Sequence, residues 1–250
     1  MQDWIPGYRL EEGPESTGVP LRYVGTRERD GVRAWIRLDG FAPNDVKAAV
    51  RMASAYQATA QLEHPDLPAV LDYGSSTIPG RPYIAFQLST EQFDRADTQP
   101  VEAAEALADA HVVALDAGLA GVHVPPIELL RAFSPVEGRR LGVREFLAEI
   151  RRPDGLCSLS GVVPQDEWAP LSAPEACHRG KKRVSVRHAL SYRLAAQLRF
   201  ACTRQWPMPV ARPARRPADA VPVLEELIEA GLASVPEARP AVEEFLVCSF

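Results

Sequence analysis

Short strands gathered around a single helix occupy residues 1–89, and that order constrains this chain more than any other feature. Residues 8–12, 21–26 and 34–38 read as strand-like runs separated by Gly-containing or charged turns such as Arg29-Asp30-Gly31. The spacing then predicts a helix over residues 45–62, with Asn44 as its N-cap and Val46, Ala49, Val50, Ala53, Tyr56 and Ala60 at helical intervals. Two further strands follow at 69–73 and 83–87. A polar, turn-rich stretch at 89–99 marks a boundary, after which helical patterns dominate. Pro100 suits a first helical turn, and 101–117 carries Ala103, Leu107, Ala110 and Ala114 at helical spacing. Two short strands are expected around 127–130 and 140–144. Ser185 is positioned to cap a helix running to residue 202, and the five prolines between 207 and 222 read as a loop.

With 250 residues, 46% apolar and 24% charged, the chain can build one large domain or two small lobes around a real core. No apolar run approaches the roughly 18 residues of a membrane span, and the N-terminus lacks the basic-then-apolar shape of a signal peptide, so the expected location is cytoplasmic. Cys157, Cys177, Cys202 and Cys248 match neither a zinc spacing nor a dense disulfide framework, and are expected as buried free thiols. Charge is unevenly placed: between residues 176 and 218 eleven Lys and Arg occur with no Asp or Glu, although the chain as a whole is acidic at -5. Such a segment serves an acidic partner or pairs with carboxylates elsewhere in the fold. No aromatic-interleaved basic motif speaks for nucleic acid.

The stretch GLAGVHVPPIELL, residues 118–130, resembles the catalytic loop of eukaryotic-type Ser/Thr protein kinases. Gly118, Pro126 and Leu130 match that loop outright, and Val124 and Leu129 match conservatively. Other landmarks of the family occur in order. His64-Pro65-Asp66-Leu67 and Val70-Leu71-Asp72-Tyr73-Gly74 resemble the turn and strand after the N-lobe helix, with Phe86 at the gatekeeper position. Ala173-Pro174-Glu175 is intact, Tyr192 and Leu194 align within a later helix, and Pro236-Glu237-Ala238-Arg239-Pro240 resembles the family's Asp-Pro-x-x-Arg-Pro. The resemblance implies a bilobal α+β fold, with a five-stranded N-lobe at 1–89 and a mainly helical, trimmed C-lobe at 90–250. It also implies an ion pair between Glu175 and Arg239.

The same alignment implies that the chemistry has been lost. Phosphoryl transfer is mostly positioning and charge compensation, so each required part can be checked. The phosphate-binding turn, residues 12–20, has two glycines, two prolines and two glutamates, and reads as an ordinary hairpin turn. Arg37 stands at the lysine that contacts phosphates and is expected as a solvated or stacked surface residue. Its helical glutamate partner is replaced by Ala55 or Tyr56, so the activating ion pair is expected to be absent. His123 stands at the catalytic aspartate, Pro125 at the lysine, Val122 at the preceding arginine and Leu190 at the aspartate that organises the loop. Glu128 and Glu145 occupy the two magnesium positions, where the bland expectation is two surface or loop glutamates. The implied function is a catalytically inactive protein-kinase-like domain, a pseudokinase, that binds or regulates a protein and carries no cofactor. The acidic-faced partner would meet the basic stretch at Lys181, Lys182 and Arg183. The alternative is an atypical phosphotransferase or nucleotide-binding protein that holds ATP and Mg²⁺ weakly through Arg37, Glu128 and Glu145, with His123 as base. Partner identity and oligomeric state stay open.

Overall fold

Alternation along paired strands sorts the N-terminal side chains onto two faces with different roles. The strands are β1 (Tyr8–Leu10), β2 (Leu21–Arg27), β3 (Arg33–Leu38), β4 (Val70–Ser75) and β5 (Pro82–Gln87), with helix α1 (Val46–Gln61) inserted after β3. They form one antiparallel sheet in the order β1-β2-β3-β5-β4. This computed structural model describes residues 4–11, 13–14, 20–41, 45–88, 100–129, 142–150, 173–174, 185–203 and 222–247.

Register places Arg22 opposite Arg37 and Val24 opposite Trp35, and then Trp35 opposite Phe86 and Arg37 opposite Ile84. Because successive side chains of a strand point to opposite faces, these residues share one face. The other face carries Tyr23, Ala34, Ile36, Leu38, Tyr83 and Ala85, packed under Trp4 and Ile5. The Trp35 face joins a larger core built with α1 and the C-terminal helices. Each large apolar side chain fully buried there contributes roughly 1.5–3 kcal/mol.

Helix α1 begins at its N-cap Asp45, whose carboxylate accepts the Ala48 amide at 2.9 Å. Asn44, the expected cap, lies outside the described residues. Its buried face is Ala48, Met52, Ala55, Tyr56, Ala58 and Thr59. The apolar stripe at Val46, Ala49, Val50 and Ala53 is exposed. The pattern was real, but only Tyr56 of the expected residues is buried in it, because α1 carries two apolar faces and the sheet can cover just one.

The second half is mainly helical. Helix α2 (Pro100–Asp116) leads through Gly118 to strand β6 (Gly121–His123), a single helical turn α3 (Pro126–Leu129) and strand β7 (Leu147–Glu149); helices α4 (Val186–Thr203) and α5 (Pro222–Gly231) follow, then 3-10 turns at Pro236–Ala238 and Val242–Val247. Over their described parts, residues 127–129 and 142–144, the strands expected at 127–130 and 140–144 are displaced: β6 pairs antiparallel with β7, His123 facing Leu147. Pro125 and Pro126 explain the shift, since neither can donate to a ladder and proline suits a first helical turn. In α4, residues from Leu190 to Leu198 are all buried, which makes it the central rod of this half. The Ser185 hydroxyl lies 3.5 Å from the His188 amide, a long capping contact. None of the described helices is long and apolar enough to cross a membrane. Of the four cysteines only Cys202 lies within the described residues, where it is free and half-buried, and burial pushes its thiol up to about 11.

Helix α5 ends against α4 at Gly231, where an added Cβ would stand 2.6 Å from the Ala195 Cβ and 3.4 Å from Phe245. The neighbour is a stiff methyl that cannot swing aside. Gly231→Ala is therefore expected to destabilise the fold by about 1–3 kcal/mol through overpacking, read from urea unfolding; an unchanged midpoint would contradict the close approach.

Candidate functional site

Strand register creates an electrostatic problem at the junction of the two halves, and the chain solves it with carboxylates. Like charges directly opposite one another across strands repel, yet Arg22 and Arg37 face each other inside the protein, with Arg37 fully buried. Asp39, two residues along β3's exit, grips Arg37 with both oxygens, at 2.9 and 3.0 Å. Glu145, from the segment before β7, accepts from Arg22 at 2.9 Å, from Arg37 at 3.3 Å and from the Trp35 indole at 3.0 Å. Its carboxylate therefore ties β2 and β3 to the C-terminal half.

The neighbouring carboxylate is used in the same way. Glu128 in α3 accepts the Arg144 amide at 2.7 Å and its guanidinium at 3.0 and 3.2 Å. Arg144 in turn lies over the Trp35 ring, 3.4 Å from its centroid, so a cation–π contact adds to the pairing. A further buried pair joins Arg193 of α4 to Glu149 of β7, and the Arg193 charge is felt at His123. Four guanidiniums thus meet four carboxylates in a buried lattice.

Two expectations are corrected here. Arg37 is not on the surface but at the centre of the lattice, because the alternation that buries Trp35 also buries the residue two positions on. Glu128 and Glu145 are each fully buried rather than on the surface, Glu128 in the turn of α3 and Glu145 in the loop before β7. Burial pushes the Glu145 carboxyl up, but attraction to Arg37 and Arg22 and the hydrogen bonds outweigh it, leaving the carboxyl below its usual range. Burial pushes Glu128 up, and Arg144 only partly offsets that and the repulsion from Glu145. Helix α1 has no carboxylate to offer Arg37; the Tyr56 hydroxyl donates to Asp39 instead, so the helix reaches the arginine through a carboxylate relay.

His123 is 1% exposed, and its Nε2 has no hydrogen-bond partner. Burial first, then the positive charges of Arg193, Arg37 and Arg22, hold its proton affinity well below the ordinary imidazole range. The ring is neutral at physiological pH and a poor proton acceptor. Pro125 is buried, and its carbonyl accepts the Glu128 and Leu129 amides at 2.9 and 3.0 Å, starting α3. Leu190 cannot hold the loop by charge; instead it packs on Gly121, whose φ of 134° and lack of a Cβ admit the leucine tip. The loop amide is held from another helix. The Val122 amide donates to His111 Nδ1 at 3.1 Å, and His111 Nε2 faces Gln197 Oε1 at 3.1 Å, which fixes the Nε2–H tautomer. Burial, opposed in part by that Gln197 bond, lowers His111 to about 3.

Arg239 is buried; it donates to the Ala233 and His188 carbonyls at 2.8 and 3.1 Å and lies over the Tyr192 ring. Its expected partner Glu175 lies outside the described residues, as do Lys181, Lys182 and Arg183. The residues that sequence reasoning missed are Arg22, Asp39, Arg144, Glu149, Arg193 and His111. One signal was available: charges embedded in apolar runs, as in Trp35-Ile36-Arg37-Leu38 and Val143-Arg144-Glu145-Phe146-Leu147-Ala148-Glu149.

No protein-family profile and no curated protein matches the sequence. Among solved structures the chain is similar to the kinase domain of PknI from M. tuberculosis, with a TM-score of 0.63 and 18% identity over 98% of this chain and 96% of that one. At that identity the likeness establishes the fold: a bilobal, protein-kinase-like α+β architecture.

Two outcomes follow from the lattice and the loop. Glu145→Leu removes the buried acceptor that Arg22, Arg37 and the Trp35 indole share, so it is expected to cost about 3–5 kcal/mol in denaturant titration; a cost below about 1 kcal/mol would show that the lattice is solvated. His111, lowered to about 3, and His123, held well below the ordinary imidazole range, both leave the native state binding fewer protons than the unfolded chain as pH falls below 6.5. Stability is then full above pH 6.5 and falls as pH drops, by about 1.4 kcal/mol per unit for each such histidine. In His123→Phe that slope is expected to decrease by about one proton, read from melting between about pH 6.5 and pH 5.

Proposed function

We propose that this chain is a kinase-fold protein that has given up nucleotide chemistry and works as a protein-binding or regulatory module. The observation that carries this reading is the occupancy of the junction by the protein's own guanidiniums. Arg37, where the resemblance places a phosphate contact, is committed to Asp39 and Glu145. Glu145 and Glu128, where it places magnesium ligands, already accept from Arg22, Arg37 and Arg144. A divalent cation entering there would have to displace buried guanidiniums from their carboxylates and lie beside the charges it displaced. The donor set as arranged therefore fits arginine and not Mg²⁺. His123 offers no substitute chemistry, since its imidazole is buried and weakly basic.

The surviving scaffold then serves contacts instead of turnover. The basic stretch that contains Lys181, Lys182 and Arg183 would steer a partner with an acidic face, with affinity falling as salt rises. The decisive experiment is thermal unfolding of the whole chain with ATP and Mg²⁺. A ligand that binds only the native state stabilises it by RT ln(1 + [L]/Kd), so no rise in melting temperature is expected at about 5 mM nucleotide. A saturating rise at sub-millimolar ATP would overturn this reading.

A further inference from the structure

The stripe at Val46, Ala49, Val50 and Ala53 is an apolar pattern that the fold leaves uncovered. Val46 and Val50 are 68% and 59% exposed, and with Tyr73 they make up three of the four large apolar residues exposed among the described residues. All three converge on one groove of about 690 Å³ between α1 and the β4–β5 hairpin. The valines stand on its helical side, and Tyr73 and Ile78 come from the hairpin side. An apolar concavity of this kind beside exposed valines marks a contact surface.

Two opposite charges line the same groove without meeting. Asp45, the N-cap of α1, is exposed and forms no ion pair with any described residue; its carboxylate is engaged with the Ala48 amide. Arg81, just before β5, is half-buried and likewise forms no ion pair with any described residue.

A two-fold interface requires that one patch carry both halves of the complementarity. This patch does so twice, as an apolar ridge beside an apolar groove and as an unpaired cation beside an unpaired acid. We propose that this face pairs with a second copy of the chain across a two-fold axis. Helix α1 of each protomer then lies in the groove of the other, burying Val46 and Val50 against Tyr73 and Ile78, and Asp45 of one copy supplies the carboxylate that Arg81 of the other lacks. The pairing is independent of whether nucleotide binds at the junction.

Sedimentation velocity of the full chain between about 1 and about 100 µM tests this, with a shift from monomer to dimer mass expected across that range. Val50→Glu is expected to weaken association by about tenfold or more through a buried unpaired charge, and Arg81→Glu by about the same through repulsion with Asp45. Val50 is exposed in the monomer, so Val50→Glu should keep the far-UV circular dichroism spectrum and the low-concentration melting temperature. Val46→Ser, which removes apolar area without adding charge, provides a second test should Val50→Glu fail to fold. A chain that stays monomeric throughout, or a dimer that persists unchanged in either charge variant, would overturn the proposal and leave the groove to a different protein.

Discussion

Everything at the centre of this molecule depends on the contact between Glu145 and the two arginines that strand pairing places side by side. A buried guanidinium is tolerable only when its charge and donors are met, and two of them opposed across strands need a carboxylate between them. Glu145 comes from the other half of the chain, so satisfying the sheet and docking the lobes are a single event. Well-packed apolar residues would often serve stability as well or better. What the ionic solution adds is geometry: bidentate and cation–π contacts fix orientation as well as distance, and here they set Trp35, Arg144 and α3 relative to β2 and β3.

The loop at 118–129 is held by neutral groups. Its backbone is anchored by an imidazole from α2, and a leucine of α4 packs on Gly121 beside it. A buried amide needs only an acceptor, and His111 Nδ1 is one.

Much of the architecture was legible in the sequence. Strands appeared where turn residues bracket short strand-like runs, and the long helices where apolar spacing persists over several turns. Errors arose where two signals competed. Around Pro125 the apolar run suggested a strand, but proline's missing donor decided for a helical turn. In α1 both faces are apolar, and only the tertiary fold decides which is covered. The ionic lattice was illegible for another reason. A charged residue in a sequence is normally a solvated one, and nothing local to Arg37 or Glu145 announces a partner more than a hundred residues away. Asp39 and Arg144 escaped notice because they correspond to no landmark of the resemblance.

The separation between partners carries one more consequence. Arg22 and Arg37 lie 123 and 108 residues from Glu145, so no local event in the chain can bring them together. Until the two halves have collapsed onto each other these side chains remain hydrated, and stripping that water falls late in folding, after most apolar surface is buried. Contacts that form after the rate-limiting step do little for the speed of folding but resist the reverse reaction. The lattice therefore acts as a clasp: it contributes persistence, slowing the escape from the native state, and leaves the rate of arrival to the strands and helices that assemble before it closes.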